Sequence, residues 1–112
     1  MRQSKKLVVL NDAPISALQV RARVNRFLLS QVGSQFCAGE PELDVRRKIW
    51  TVPILMVTPG FVVGQVGEAS VRDHTRELDS HTEIEVIHAA ADKLRKRHHA
   101  AIKTAFLRAR KG

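Results

Sequence analysis

Five histidines, one cysteine and a dense run of bases are the side chains of this chain that could do chemistry. His74, His81 and His88 recur at seven-residue intervals, and His98 and His99 are adjacent. Imidazoles and a carboxylate in close company can hold a zinc-type ion, so His81, Glu85 and His88 form the candidate metal set. Their spacing crosses a turn, a strand end and a helix start and does not place the first three rings on one face. A hydrogen-bonded polar cluster at the helix start is therefore expected, without a metal or any other cofactor. His98 falls on the inward stripe of the last helix and reads as a core histidine holding a hydrogen bond. Cys37 would need a partner His and a lowered pKa to act as a nucleophile. Between Phe36 and Ala38 it reads as a small buried hydrophobe. Ser16, Ser30, Ser34, Ser70 and Ser80 sit in no nucleophile elbow. Gly60, Gly64 and Gly67 lack the Lys-Ser/Thr and helix of a phosphate loop and read as turn and bulge residues. Glu68 and Asp73 are too isolated to argue for an acid–base pair. No enzymatic activity is expected from this set.

The bases carry the stronger signal. From Lys93 to Gly112 there are eight Lys and Arg residues, and no acid follows Asp92. The preceding 92 residues hold eleven bases and eleven acids, so the terminal segment accounts for the whole net charge of +8. Such a segment is an electrostatic footprint for an acidic protein or for phosphate backbones. A solvated helix face is the plain alternative. Its outer face lacks base-reading Asn and Gln, and no helix-turn-helix is evident, so a nucleic-acid reading would rest on phosphates alone. Aromatic content of 4% argues against a base-stacking platform. A membrane-surface role is disfavoured because the apolar side of the segment is Ala-rich and needed for the core. A second basic group, Arg46-Arg47-Lys48, stands at the entry to the central strand. The candidate contacts are Arg46, Arg47, Lys48, Lys93, Arg95, Lys96, Arg97 and Lys103. The first functional reading is a non-catalytic protein-interaction module, such as an inhibitory or antitoxin-like partner that meets an acidic surface. The second is a nucleic-acid-binding accessory protein using Lys93, Arg95, Lys96, Arg97 and Lys103.

The elements that must position these residues are readable by period. At 112 residues the chain is expected to be one domain with one modest, mostly aliphatic core. A single cysteine permits no intrachain disulfide and fits a reducing compartment. Leu7 to Leu10 is too short for a signal-peptide core, and Val52 to Val57 is far below a membrane span. The expectation is a cytoplasmic protein with no membrane segment. Residues 1–11 read as an arm or an edge strand, and Asn11-Asp12-Ala13-Pro14 as a helix start. A helix is expected over 15–32, with Ala17, Val20, Val24, Phe27 and Leu28 on one face. Leu18, Leu29 and Val32 widen that arc toward a second neighbour. Residues 35–44 read as a loop and 45–81 as antiparallel strands, with Pro53 at an edge or a bulge. Thr82-Glu83-Ile84-Glu85 has the form of a capping box opening a basic C-terminal helix over 82–110. The predicted fold is α+β: an N-terminal helix, a three-stranded antiparallel meander, and a long C-terminal helix packed on one sheet face. The other sheet face is free to cover itself in a homodimer.

The segment Ile49-Trp50-Thr51-Val52, followed by Val66-Gly67-Glu68-Ala69-Ser70-Val71-Arg72-Asp73-His74-Thr75-Arg76-Glu77-Leu78, resembles PepSY-type domains. These are small cystatin-like α+β modules with a Trp-bearing strand and a return strand that ends in Val-Asp before a Thr-Gly-Glu turn. Trp50 matches the aromatic, Asp73 the turn acid, and Thr75 and Glu77 the turn. Arg72 intervenes between Val71 and Asp73. Arg76 stands where the family usually has Gly; positive φ is costly for Arg, so the turn type is left open. The resemblance covers roughly residues 15–82 and leaves the basic terminal helix outside. It implies an inhibitory or protein-binding module without catalysis of its own.

Overall fold

Where the chain alternates apolar and polar residues it forms strands, and where apolar residues recur every three or four it forms helices. The structure, a computed structural model, describes residues 15–111. The arm or edge strand expected over 1–11 and the helix start expected at Asn11 to Pro14 lie outside the described residues. Helix α1 spans Ala17–Gln31. Its N-cap is Ser16, in a reciprocal box: Gln19 N donates to Ser16 Oγ at 3.2 Å, and Ser16 N donates to Gln19 Oε1 at 3.0 Å. Ser-x-x-Gln is the sequence form of that cap. The helix ends as Gly33 N closes on Leu28 O at 2.8 Å. Val20, Val24, Phe27 and Leu28 are buried, as the period requires. The wider arc is corrected in part: Leu18 and Leu29 are 76% and 72% exposed, whereas Val32, the C-cap, is half-buried against the core.

Five strands follow: β1 (Phe36–Ala38), β2 (Glu42–Asp44), β3 (Ile49–Thr58), β4 (Phe61–Arg72) and β5 (Leu78–His81). All pairings are antiparallel, in the order β1-β3-β4-β5, with β2 also on β3. The stretch read as a loop therefore supplies two short strands, and the meander has five strands instead of three. Neither β1 nor β2 exceeds three residues, too few to show a period. They lie end to end along one side of β3: β1 opposes Ile54 to Met56 and β2 opposes Ile49 to Thr51. Pro53 sits in a central strand, not at an edge. Its carbonyl accepts from Gly39 N at 2.8 Å, so its own nitrogen faces the interval between β1 and β2, where no ladder donor is required.

The β3–β4 register shifts between Ile54/Leu55 and between Met56/Val57, each time leaving one extra residue on β4. These two bulges curl the sheet around its helices. Helix α2 (Ile84–Arg97) lies across β4. A Cβ on Gly64 would stand 3.1 Å from the Leu94 methyls, and one on Gly67 would stand 2.8 Å from Thr82 Oγ1. Both glycines are close-approach points, Gly67 for the chain entering α2 and Gly64 for α2 itself. The capping box expected at Thr82 is corrected: the N-cap is Glu83, without a side-chain bond. Thr82 Oγ1 is already engaged, accepting from Glu68 N at 2.9 Å and donating to Glu68 O at 3.2 Å.

The core lies on one sheet face. Val52, Ile54, Met56, Val66, Ala69 and Val71 from the strands meet α1 and the Ile87 and Ala91 side of α2. Two ring pairs tie the layers: Phe27 with His81 at 4.4 Å and Phe36 with His88 at 5.9 Å. The single helix expected over 82–110 is two helices, α2 and α3 (His99–Lys111). His98 breaks them, at φ −112° and ψ 23°. The described chain measures 58 × 31 × 22 Å along its principal axes.

Candidate partner-binding surface

The eight bases singled out from the sequence fall at opposite ends of the β3–β4 hairpin. Arg46, Arg47 and Lys48 form the turn into β3, next to the turn out of β4, because Asp73 N donates to Lys48 O at 3.0 Å. Lys93, Arg95, Lys96, Arg97 and Lys103 lie on α2 and α3, and α3 passes the other turn, at Pro59 to Phe61. Ten residues of strand at roughly 3.3 Å each put about 30 Å between the two ends. The Debye length is about 8 Å at physiological salt, so the two groups do not act as one footprint.

The turn end is tightly built. Asp44 closes the β2–β3 turn with its carbonyl on Lys48 N at 2.8 Å and its Oδ1 on Arg47 N at 3.2 Å. Arg76 N returns to Arg72 O at 3.1 Å, and Arg72 N to Glu77 O at 2.9 Å. Lys48 and Arg76 take positive φ, 56° and 63°. Arg76 thus adopts the left-handed conformation that favours glycine. Beneath them Asp73, only 6% exposed, accepts from Trp50 Nε1 at 2.8 Å, while its carbonyl receives Ile15 N at 3.1 Å. Arg72 pairs with Asp79 at 2.9 Å. The bases Arg46, Arg47, Lys48, Arg72 and Arg76 are interleaved with the acids Asp44, Asp73, Glu77 and Asp79, so the local field is nearly neutral.

The helix end is loosely built and uncompensated. Arg95 pairs with Asp92 at 2.6 Å, and this is the one ion pair on α2 and α3 among the described residues. Lys93, Lys96, Arg97, Lys103, Arg108 and Arg110 are exposed. Among its described residues helix α3 buries none fully; Ile102 and Ala105 are half-buried and Ala101 is exposed. Phe106 and Leu107 are 51% and 46% exposed among those bases. The sequence reading did not single them out. Phe106 lies one turn beyond Ile102, a spacing that carries the signal, whereas Leu107 lies off the stripe. Between α3 and the β3–β4 turn lies an open trough of about 650 Å³, walled by Pro59, Gly60 and Phe61 and by alanines of α3.

His88 Nε2 lies 3.0 Å from Val32 O, at the C-terminal end of α1, and His81 Nδ1 lies 2.8 Å from Thr82 O. Among the described residues no three His, Cys, Asp or Glu side chains are grouped to hold a metal. His98 is half-buried at the α2–α3 joint, four residues from both Leu94 and Ile102, instead of fully in the core. Cys37 is partly exposed, opposite Leu55 on the sheet face that turns from the helices, which corrects its reading as buried. That face is apolar near Leu55 and Val57 and polar near Thr51, Glu68, Ser70 and Ser80, where Ser70 Oγ and Ser80 Oγ are 2.7 Å apart. No described helix is long and apolar enough to cross a membrane. No protein-family model, curated protein or solved structure matches this chain.

Proposed function

We propose that this protein is a non-catalytic interaction module whose contact element is the C-terminal end of α2 together with α3, and whose partner is a protein with an acidic surface. An inhibitory or antitoxin-like partner would work in this way. The observation that carries the reading is that α3 mixes exposed Phe106 and Leu107 with Lys103, Arg108 and Arg110, while only Ile102 and Ala105 among its described residues are half-buried. Phosphate backbones reward the bases but offer nothing to a phenyl ring held in water. A protein surface rewards both, since buried aromatic and Arg anchors supply most of the energy at protein interfaces. Opposed charge would steer the encounter, and the apolar side chains would slow dissociation.

Two fluorescent probes separate this reading from nucleic-acid binding: a helical peptide with Glu on one face and Leu on the other, and a short random DNA duplex. Neutralising Lys103, Arg108 and Arg110 to Gln is expected to weaken the peptide by about threefold to a hundredfold, since exposed charge pairs contribute roughly 0.2–1 kcal/mol each. The same change at Arg46, Arg47 and Lys48 is expected to leave it within about twofold. Tighter binding to the duplex, with a log–log salt slope of about −0.9 per phosphate contact, would replace the proposal with the nucleic-acid reading.

A further inference from the structure

We infer that the trough between α3 and the β3–β4 turn is the seat of one helix of the acidic partner. That helix inserts a bulky apolar side chain over Ala101 and Ala105 and sets a carboxylate against Arg108. The inference rests on the reading of α3 as the contact element and names the form of what it contacts.

The trough holds about 650 Å³, within the roughly 300–1,000 Å³ of occupied ligand clefts, and it is open along its length. One wall is the turn, Pro59 to Phe61; the other is the side of α3 that carries Ala101, Thr104, Ala105 and Arg108. A helix meant to close against this turn would carry Leu or Ile there. Alanine at 101, 105 and 109, one turn apart, instead leaves a shallow furrow on the helix surface. Ridges of a second helix fit such furrows at interaxial distances of about 8–10 Å, and small side chains favour the close end.

Charge decides the occupant. Every ionisable side chain of α3 is a base or a histidine, so a second copy presenting its own α3 would bring like charge to like charge. A small polar ligand would find only the Thr104 hydroxyl and the Arg108 guanidinium, and no enclosure. An amphipathic helix with carboxylates beside its apolar ridge satisfies both the alanine furrow and the uncompensated bases.

The test uses the whole protein and three probes: polyglutamate, the Glu/Leu helical peptide, and the same peptide with its central Leu replaced by Ser. Ala101 is exposed, so Ala101→Phe fills the trough without touching the core. The expected result is a loss of at least tenfold in affinity for the Leu peptide on Ala101→Phe, with polyglutamate unchanged. The Ser peptide should bind the unmodified protein at least fivefold more weakly than the Leu peptide. Equal binding of the Leu and Ser peptides overturns the trough as a seat, whatever the variant does. Failure of polyglutamate to bind the unmodified protein, while the Leu peptide binds, instead removes the charge-based reading and leaves the furrow standing. Displacement of the Leu peptide by duplex DNA from Ala101→Phe and unmodified protein alike counts against both.

Discussion

The two basic ends of this molecule look alike in sequence and differ in almost every physical respect. At the turn end, bases alternate with acids and backbone bonds lock two turns together over a buried Asp73–Trp50 hydrogen bond. At the helix end, bases follow one another on a helix that fully buries none of its described residues. A run of Arg and Lys therefore says little until its counter-charges are located. Arg46-Arg47-Lys48 is a run in the chain but part of a nearly neutral patch in space. The stretch from Lys93 onward stays a field of one sign because no acid follows Asp92, and among the described residues its one ion pair is Asp92–Arg95.

The largest expected contrast is in stability. Asp73→Ala removes a carboxylate that holds the indole N–H of Trp50. Hydrogen bonds to charged groups contribute about 1.5–3 kcal/mol, so we expect a loss of about 2 kcal/mol. Deleting α3 after His98 removes chiefly the half-buried Ile102 and Ala105 contacts and should cost about 1 kcal/mol. Urea unfolding of the two variants measures both. A truncation that costs more than Asp73→Ala would make α3 part of the cooperative body and erase the difference between the ends.

The same contrast governs what was legible beforehand. The α1 stripe Val20, Val24, Phe27 and Leu28, the turn at Gly60, and the terminal basic run from Lys93 follow from period, punctuation and counting, and each is a local property. The β1 and β2 pairings were hidden in a segment rich in Gly, Pro and Glu, because their stability comes from β3 and not from their own residues. Thr82 reads as a helix cap in the sequence, yet the bulged β4 brings Glu68 to it first. The break at His98 has no glycine or proline to announce it. The candidate surface was half legible: its charges follow from counting, but the alanine trough exists only because the β3–β4 turn stands beside α3, forty residues away in the chain. The Ala-rich face suggested docking against the core, and its poverty of bulk is the reason it does not close.

A smaller effect is expected at the foot of that turn. Thr58 is 9% exposed, and its Oγ1 has no hydrogen-bond partner among the described residues. An unmet buried hydroxyl costs about 1–3 kcal/mol, whereas Val keeps the β-branched shape that suits the end of β3. Thr58→Val should therefore raise stability by about 1 kcal/mol, read as a higher urea midpoint at unchanged slope. Placed beside Asp73→Ala, it tests whether the helix end of the hairpin carries unused stability while the turn end is near its optimum. A loss of stability in Thr58→Val would mean that the hydroxyl is paired in solution.

The turn end is not optimal everywhere, and Arg76 marks the exception. Its φ of 63° places a branched Cα where L-residues lie about 1–2 kcal/mol above the right-handed region. Glycine removes that cost but adds about 0.4–1 kcal/mol of freedom to the unfolded chain. The difference favours Arg76→Gly by about 0.5 kcal/mol. Arg76→Ala retains the backbone cost and should be neutral, so the pair of variants separates conformation from charge. If Ala and Gly raised the urea midpoint equally, the gain would come from removing a cation from a patch already balanced by Asp44, Asp73, Glu77 and Asp79. That result would show the turn end to be more basic in effect than its interleaved acids imply, and would bring it closer to the helix end as a contact surface.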